Sequence, residues 1–382
     1  MAKFPKTLVL SWSVPPAASG MGTVMHNLLS QFTANEMVAV GAYYVGHSGS
    51  KWSKEKPRIL FGMLNPPEYW RGHRWILLLQ LPLLIIVSVW ALLFFGCKAI
   101  FVVYPNQLFL FTGYLLSRIF KKPLYVYFHN TYLEDSQDSR FAHWLQPRVF
   151  EHARHTFVMS EGLLAYYKKL YPQLKCSALI HTTMVYPKNT NINLPPVHTP
   201  VRLVFAGSVN ASCADAMGRF IKLIKSDSGY YLNIYSGMHR ETFRQMGFLL
   251  DNMSITNVPY DQLLGCLQNS DIVIHPHGFT GSMAAHEYET IFPTKTLEYL
   301  LSGRPILAHL PRNCSLANFY TSHDCALQIH EPSVEALRDG LMQICNDANL
   351  RKKLVTNALE AARLYYAPKV IDHMRKIMRE DI

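Results

Sequence analysis

At 382 residues the chain is longer than one hydrophobic core ordinarily organises, so two domains of about 180 residues each are expected. An apolar share of 49% against 16% charged residues excludes a disordered protein. The net charge of +11 and a pI near 9.2 point to an anionic partner: nucleic acid, an acidic lipid surface or a nucleotide diphosphate.

No zinc-finger, RNP-like or Arg-rich run is present in the sequence, which argues against nucleic acid. Seven cysteines, an odd number with no CxxC pair, read as buried thiols in a reducing compartment. The opening MAKFPK leads into TLVLSWS, an apolar run of one strand's length rather than a signal peptide, so a cytoplasmic protein is expected. A Pro/Ala/Ser/Gly loop follows, then Val24, Leu28, Leu29 and Phe32 at helical spacing. Gly20, Gly22 and Thr23 therefore fall at the mouth of the first βα crossover, where glycines let backbone approach a phosphate or sugar; a plain tight turn is the commoner reading of such a G-x-G taken alone.

Residues 75–95, WILLLQLPLLIIVSVWALLFF, carry no charge and at about 1.5 Å per residue are long enough to cross a bilayer core. Topology argues against a span. TLVLSWS, KAIFVVYP (98–105) and PLYVYFHN (123–130) read as strands of one parallel sheet, which a single crossing would divide between two sides of the membrane. Gln80 and Pro82 also interrupt the run. Trp70, Arg71, His73, Arg74 and Trp75 form an aromatic and cationic flank, and Lys51, Lys54, Lys56 and Arg58 a second basic cluster. A crossover helix whose outer face touches an anionic membrane fits this pattern, as does an ordinary buried helix.

His129 follows the strand YVYFH at the carboxyl edge of the expected sheet, with Asn130, Glu134 and Asp135 within a loop's reach. A carboxylate there can orient or deprotonate an acceptor hydroxyl; solvated loop acids are the plainer alternative. Ser160 opens the helix after the strand ARHTFVMS, and the Pro- and Asn-rich segment 185–200 is the expected linker. VRLVFAGSVN (201–210) then gives a strand ending at Gly207 and Ser208, and YYLNIYSG gives another. VPYDQLLGCLQNSDIVIHPHG (258–278) reads as loop, helix, buried strand and loop.

The segment 290–306, TIFPTKTLEYLLSGRPI, opens a helix on Pro293, Thr294, Lys295 and Thr296 and closes it at Gly303 before a Pro-led strand. Amides at a helix start and the Lys295 charge suit a diphosphate, and Glu298 can accept from ribose hydroxyls. A helix start with a solvated lysine is the alternative.

His275-Pro276, then Phe292, Pro293, Lys295 and Glu298, then Ser302, Gly303, Pro305 and Ile306 resemble the donor-domain motif of GT-B glycosyltransferases. The match is nearest family 4, the glycosyl transferases group 1. The resemblance implies an α/β fold of two Rossmann-like domains facing a cleft. It assigns residues 1–190 to acceptor binding and 191–364 to the nucleotide-sugar donor; the apolar run and its flanks add a membrane-associated segment at 70–96 to the first. Residues 365–382 form a helix returning to the first domain.

The same resemblance implies that His129 faces the donor sugar, and that Gly20, Gly22, Thr23, Gly207, Ser208, Pro293, Thr294, Thr296 and Glu298 line the donor site. Asp135 and Lys295 complete the catalytic candidates. The implied activity is a retaining hexosyl transfer from a nucleoside diphosphate sugar, which is a co-substrate, with no metal or other cofactor. The acceptor is expected to be a lipid-linked or other saccharide of a cell-surface polysaccharide, at the inner face of the cytoplasmic membrane. Two departures stand out. Ser208 to Cys213 hold no cation where the family carries an Arg and a Lys, and Thr290 stands where the first acid of Glu-x7-Glu would be, with Glu287 and Glu289 out of register. A sugar-nucleotide epimerase, which also uses this fold, and a non-catalytic scaffold remain alternatives.

Overall fold

The computed structural model describes residues 4–16, 20–44, 52–65, 74–134, 139–190, 192 and 194–380. Two compact units divide the chain: residues 1–184 with 367–382, and residues 185–366.

In the first unit the elements are β1 (Thr7–Ser11), α1 (Gly20–Leu29), β2 (Met37–Tyr44), β3 (Arg58–Asn65), α2 (Arg74–Leu79), α3 (Leu81–Phe94), β4 (Ala99–Tyr104) and α4 (Gln107–Phe120). They continue with β5 (Leu124–Phe128), α5 (Arg140–His152), β6 (His155–Val158), α6 (Glu161–Leu170) and β7 (Cys176–Ala178). The seven strands run parallel in the order β3-β2-β1-β4-β5-β6-β7. Because both faces of a parallel sheet are covered by crossover helices, its central strands are apolar throughout: β1, β4 and β5 are buried at every position. Leu8 and Leu10 enter the core under α3, α4, α5 and α6, while Val9 between them enters the opposite one under α1.

The long apolar run is two helices. Pro82 has no N–H, and its ring would collide with the carbonyl of Leu78 in a continuous helix, so the chain breaks at Gln80. The Gln80 side chain then accepts from the Leu64 amide at 2.5 Å. At 14 residues α3 rises about 21 Å, short of a hydrocarbon core. Among the described residues no helix is long and apolar enough to cross a membrane. Leu84, Ser88, Ala91 and Leu92 of α3 are buried, whereas Leu79 is 70% exposed, Phe94 65% and Ile86 64%. Lys51, Trp70, Arg71 and His73 lie outside the described residues.

The second unit comprises β8 (Val201–Ala206), α7 (Ala214–Ser226), β9 (Tyr230–Tyr235), α8 (Arg240–Gln245), β10 (Met253–Thr256), α9 (Tyr260–Gln268) and β11 (Ile272–Pro276). It continues with α10 (Ala285–Thr290), α11 (Thr296–Leu301), β12 (Ile306–His309), α12 (Ser315–His323), β13 (Leu327–Ile329), α13 (Val334–Asn346) and α14 (Ala348–Leu364). Its six strands are parallel in the order β10-β9-β8-β11-β12-β13. The last helix, α15 (Ala367–Glu380), belongs to the first unit. It buries Ile371, Met374 and Met378 beside α1, and Arg375 pairs with Glu36 and lies 4.3 Å over the Phe32 ring.

In each sheet the strand order reverses direction at one place, between β1 and β4 and between β8 and β11. Connections leave to opposite sides there, and a crevice opens at the carboxyl ends of the strands.

Candidate active site

In the second unit the crevice is built from the end of β8, the loop after β11 and the start of α11. The β8–β11 register ends at Val204, so Ala206 has no ladder partner on that side. Tyr299 of α11 fills the gap: its fully buried hydroxyl accepts from the Ala206 amide at 2.9 Å and donates to the Ala206 carbonyl at 3.1 Å. One side chain thus pins α11 to the strand end. Gly207 follows at φ +105°, a conformation that favours glycine, and a Cβ there would meet Lys295 Nζ at 3.8 Å.

Lys295 lies with Nζ 4.0 Å above the Phe205 ring and makes no hydrogen bond or ion pair among the described residues. Desolvation pulls its pKa below the ordinary lysine value. Glu298, one turn on, accepts at Oε1 from the Tyr260 hydroxyl at 2.7 Å, while its Oε2 is buried with no hydrogen-bond partner among the described residues. Burial pushes this carboxyl up, with the tyrosine bond offsetting part of the rise. A cation and a carboxylate oxygen, each without a partner among the described residues, therefore stand one helical turn apart beside a glycine. They present a donor for phosphate and an acceptor for hydroxyl.

The other residues singled out in the sequence have more settled surroundings. Thr296 is fully buried, and both its amide and its hydroxyl donate to the Pro293 carbonyl, the hydroxyl at 2.7 Å. Ser208 is exposed. Pro293 and Thr294 are half-buried at the turn into α11. Arg304, the next cation along the chain after Lys295, turns to the end of α9, where its guanidinium donates to the Gln268 carbonyl, with Nε at 2.8 Å. Glu287 is buried with one carboxylate oxygen 3.6 Å from His286, Glu289 is exposed and Thr290 is buried.

His275 donates or accepts through Nδ1 at 2.6 Å from the Tyr320 hydroxyl and packs edge-on to Tyr299. His277 donates from Nε2 to the Tyr288 carbonyl at 2.7 Å. Desolvation keeps both rings neutral at physiological pH. Among the described residues no three His, Cys, Asp or Glu side chains converge as a metal set.

Sequence reading passed over two residues here. Tyr260 orients Glu298, and Asp215 in the first turn of α7 accepts from the Phe279 amide at 3.1 Å, the Thr280 amide at 3.4 Å and Arg219 Nη2 at 3.0 Å. Asp215 thereby ties the loop after β11 to α7. The one signal for it was an acid in a helix's first turn after a glycine-ended strand.

In the first unit His129 directly follows β5 and is 7% exposed. Its Nε2 is buried without a hydrogen-bond partner among the described residues, and its ring stands 4.3 Å, edge-on, from Tyr127. Burial, and then repulsion from His181, lower its pKa to about 3, so the ring is neutral at physiological pH. Gly20, Gly22 and Thr23 open α1, exposed, buried and half-buried in turn. Asn27, one turn later, donates to the Thr182 carbonyl at 2.6 Å. Asp135 lies outside the described residues. Glu134 is turned inward, where its Oε1 accepts from the Tyr171 hydroxyl at 2.7 Å and from Gln146 at 3.0 Å. That bonding holds the chain after β5 against α5.

Neither protein-family models nor curated proteins match this sequence. Solved structures match along nearly its whole length. Sucrose-phosphate synthase from Thermosynechococcus elongatus superposes with TM-score 0.72 at 14% identity, over 98% of this chain and 98% of that one. HepE from Anabaena, solved in complex with UDP and glucose, gives TM-score 0.67 at 11% identity, over 97% and 98%. WaaG, a glycosyltransferase involved in lipopolysaccharide biosynthesis, gives 0.62 at 15% identity, over 97% and 99%. With two parallel sheets and interleaved helices, the fold is GT-B.

Proposed function

We propose that this chain is a glycosyltransferase that moves a sugar from a nucleoside diphosphate donor to an acceptor hydroxyl. The carrying observation is the pair at the start of α11: among the described residues Lys295 has no hydrogen-bond acceptor and the buried Oε2 of Glu298 has no partner, both held beside Gly207 by the Tyr299 bridge. Glu298 binds the ribose hydroxyls. Lys295 faces the diphosphate and stabilises the charge that develops as it leaves, in a site where desolvation strengthens the interaction. With Ser208 to Cys213 lacking a cation and Arg304 engaged at α9, Lys295 carries most of this role. In the first unit His129 is neutral, so it serves as a hydrogen-bonding group toward the sugar rather than as a cation.

The finer reading is a retaining transfer of a hexosyl group to a lipid-linked saccharide in polysaccharide biosynthesis, by a protein peripheral to the membrane. Its support is the outer face of α2 and α3. Trp75 and Leu79 of α2 and Leu83, Ile86, Trp90 and Phe94 of α3, the last four at helical spacing, are exposed in a chain of net charge +11.

Calorimetry with UDP, GDP and ADP, followed by incubation with the matching nucleotide sugars, tests the proposal. Glu298→Ala should lose roughly 1–3 kcal/mol of nucleotide affinity through its charge-assisted hydrogen bonds. An unchanged affinity removes Glu298 from the site. Slow donor hydrolysis supports a transferase, whereas an epimerised product supports the epimerase alternative.

A further inference from the structure

The first unit carries a groove of about 450 Å³ where α4 and α5 end and β5 begins. Arg118, Lys121, Lys122 and Arg154 line it, with Ser117 and His152 between them, and no acidic residue takes part. None of the four cationic side chains makes an ion pair or a hydrogen bond among the described residues. The two helix ends contribute about half a negative charge each, which offsets only a minor part of four positive charges. Nor are the cations needed as caps, because the Ser117 carbonyl already accepts from the Lys122 amide at 3.1 Å. Four cations around one concave surface whose lining holds no acidic side chain repel one another, and an anion in the groove relieves that repulsion.

The floor of the groove has a defined proton arrangement. Ser117 Oγ donates to the Lys122 carbonyl at 2.6 Å, so the 2.7 Å contact between Ser117 Oγ and His152 Nε2 has the imidazole as donor. His152 Nδ1 then carries the free lone pair of the neutral ring. Burial first, then Arg118 and Arg154, lower the pKa of His152. The Tyr114 ring stands edge-on to it at 5.7 Å. The groove is remote from His129: the two lie at opposite ends of β5, about 16 Å apart at the rise of a parallel strand.

We infer that this groove binds a phosphate group, presented by an anionic lipid headgroup or as free phosphate. Guanidinium forks at Arg118 and Arg154 match phosphate oxygens bidentately, and the two lysines add charge at the rim. The site lies outside the proposed donor-binding machinery and stands whether or not the transferase reading holds. Because the anion opposes the cations that depress His152, occupancy raises the pKa of that imidazole. This gives a readout at the groove itself.

The test uses the full-length chain and follows the His152 ring by NMR, assigned by comparison with His152→Gln. One arm adds inorganic phosphate against chloride at matched ionic strength, and the other measures retention on phosphatidylcholine vesicles with and without phosphatidic acid. Free phosphate as ligand raises the His152 pKa by about half to one unit. The lipid source gives no such shift but retention that depends on phosphatidic acid. In either case Arg118→Gln with Arg154→Gln, two exposed changes, should weaken binding about tenfold with the melting profile unchanged. No effect in either arm, or an effect that survives the double substitution, overturns the inference.

Discussion

Tyr299→Phe isolates the device that assembles the second unit's site. The substitution keeps the ring and its edge contact with His275 but deletes the hydroxyl that bonds both backbone groups of Ala206. Ala206 is 2% exposed and has no β11 partner, so its amide and carbonyl are left buried without partners. An unsatisfied buried polar group costs about 1–3 kcal/mol, and two groups with partial relaxation give roughly 2–4 kcal/mol. The loss should appear as a lower urea midpoint for the second unit. It should appear locally as well, as faster hydrogen exchange at the Ala206 amide, which reports the strand end itself. Nucleotide affinity should fall in parallel, because Lys295 and Glu298 are positioned by the same helix. A loss under about 0.5 kcal/mol with Ala206 still protected would refute the idea that Tyr299 closes the splayed ladder.

Replacing Lys295 by Ala should depress turnover more than nucleotide affinity; equal losses in single-turnover and binding measurements would count against a role confined to the leaving diphosphate. His129→Ala should leave the fold intact and cut transfer by about a hundredfold, and a variant that simply melts early with normal activity per folded molecule would make the residue structural. His129 also predicts a pH effect. Its folded pKa of about 3 lies below the unfolded value near 6.5, so the unfolded chain binds more protons between them and stability falls as pH drops through that window. From pH 7 to pH 5 the wild type should lose about 2 kcal/mol more than His129→Asn, and identical pH profiles would sink the assignment. Trp90→Ser with Phe94→Ser should lower partitioning onto anionic vesicles at least about tenfold, and undiminished binding would place the contact elsewhere.

The GT-B fold is legible in this chain because a buried parallel strand must be apolar on both faces. TLVLS, AIFVVY and LYVYF announce themselves as short β-rich runs followed by loops and helical spacing. The break in the long apolar run is legible for an equally local reason, the missing N–H and the ring of Pro82. Lys295 and Glu298 could be paired from spacing alone, since residues three apart on a helix share a face.

What lay beyond the sequence was the partnering. MVAVGAYY became β2 only through its lateral register on β1, and RILFGMLN became β3 only through its register on β2; no local signal sets such pairing across long connections. Glu134, a candidate acid by proximity to His129, is turned inward onto Tyr171 and Gln146, residues 37 and 12 positions away. Arg304 is drawn to a helix end 36 positions earlier. The Tyr299 bridge spans 93 positions, and the cationic groove gathers side chains from the ends of two helices. Periodicity and backbone chemistry act within a few residues. Hydrogen-bond partners and charge clusters depend on which strand ends and helix ends the packed sheet brings together.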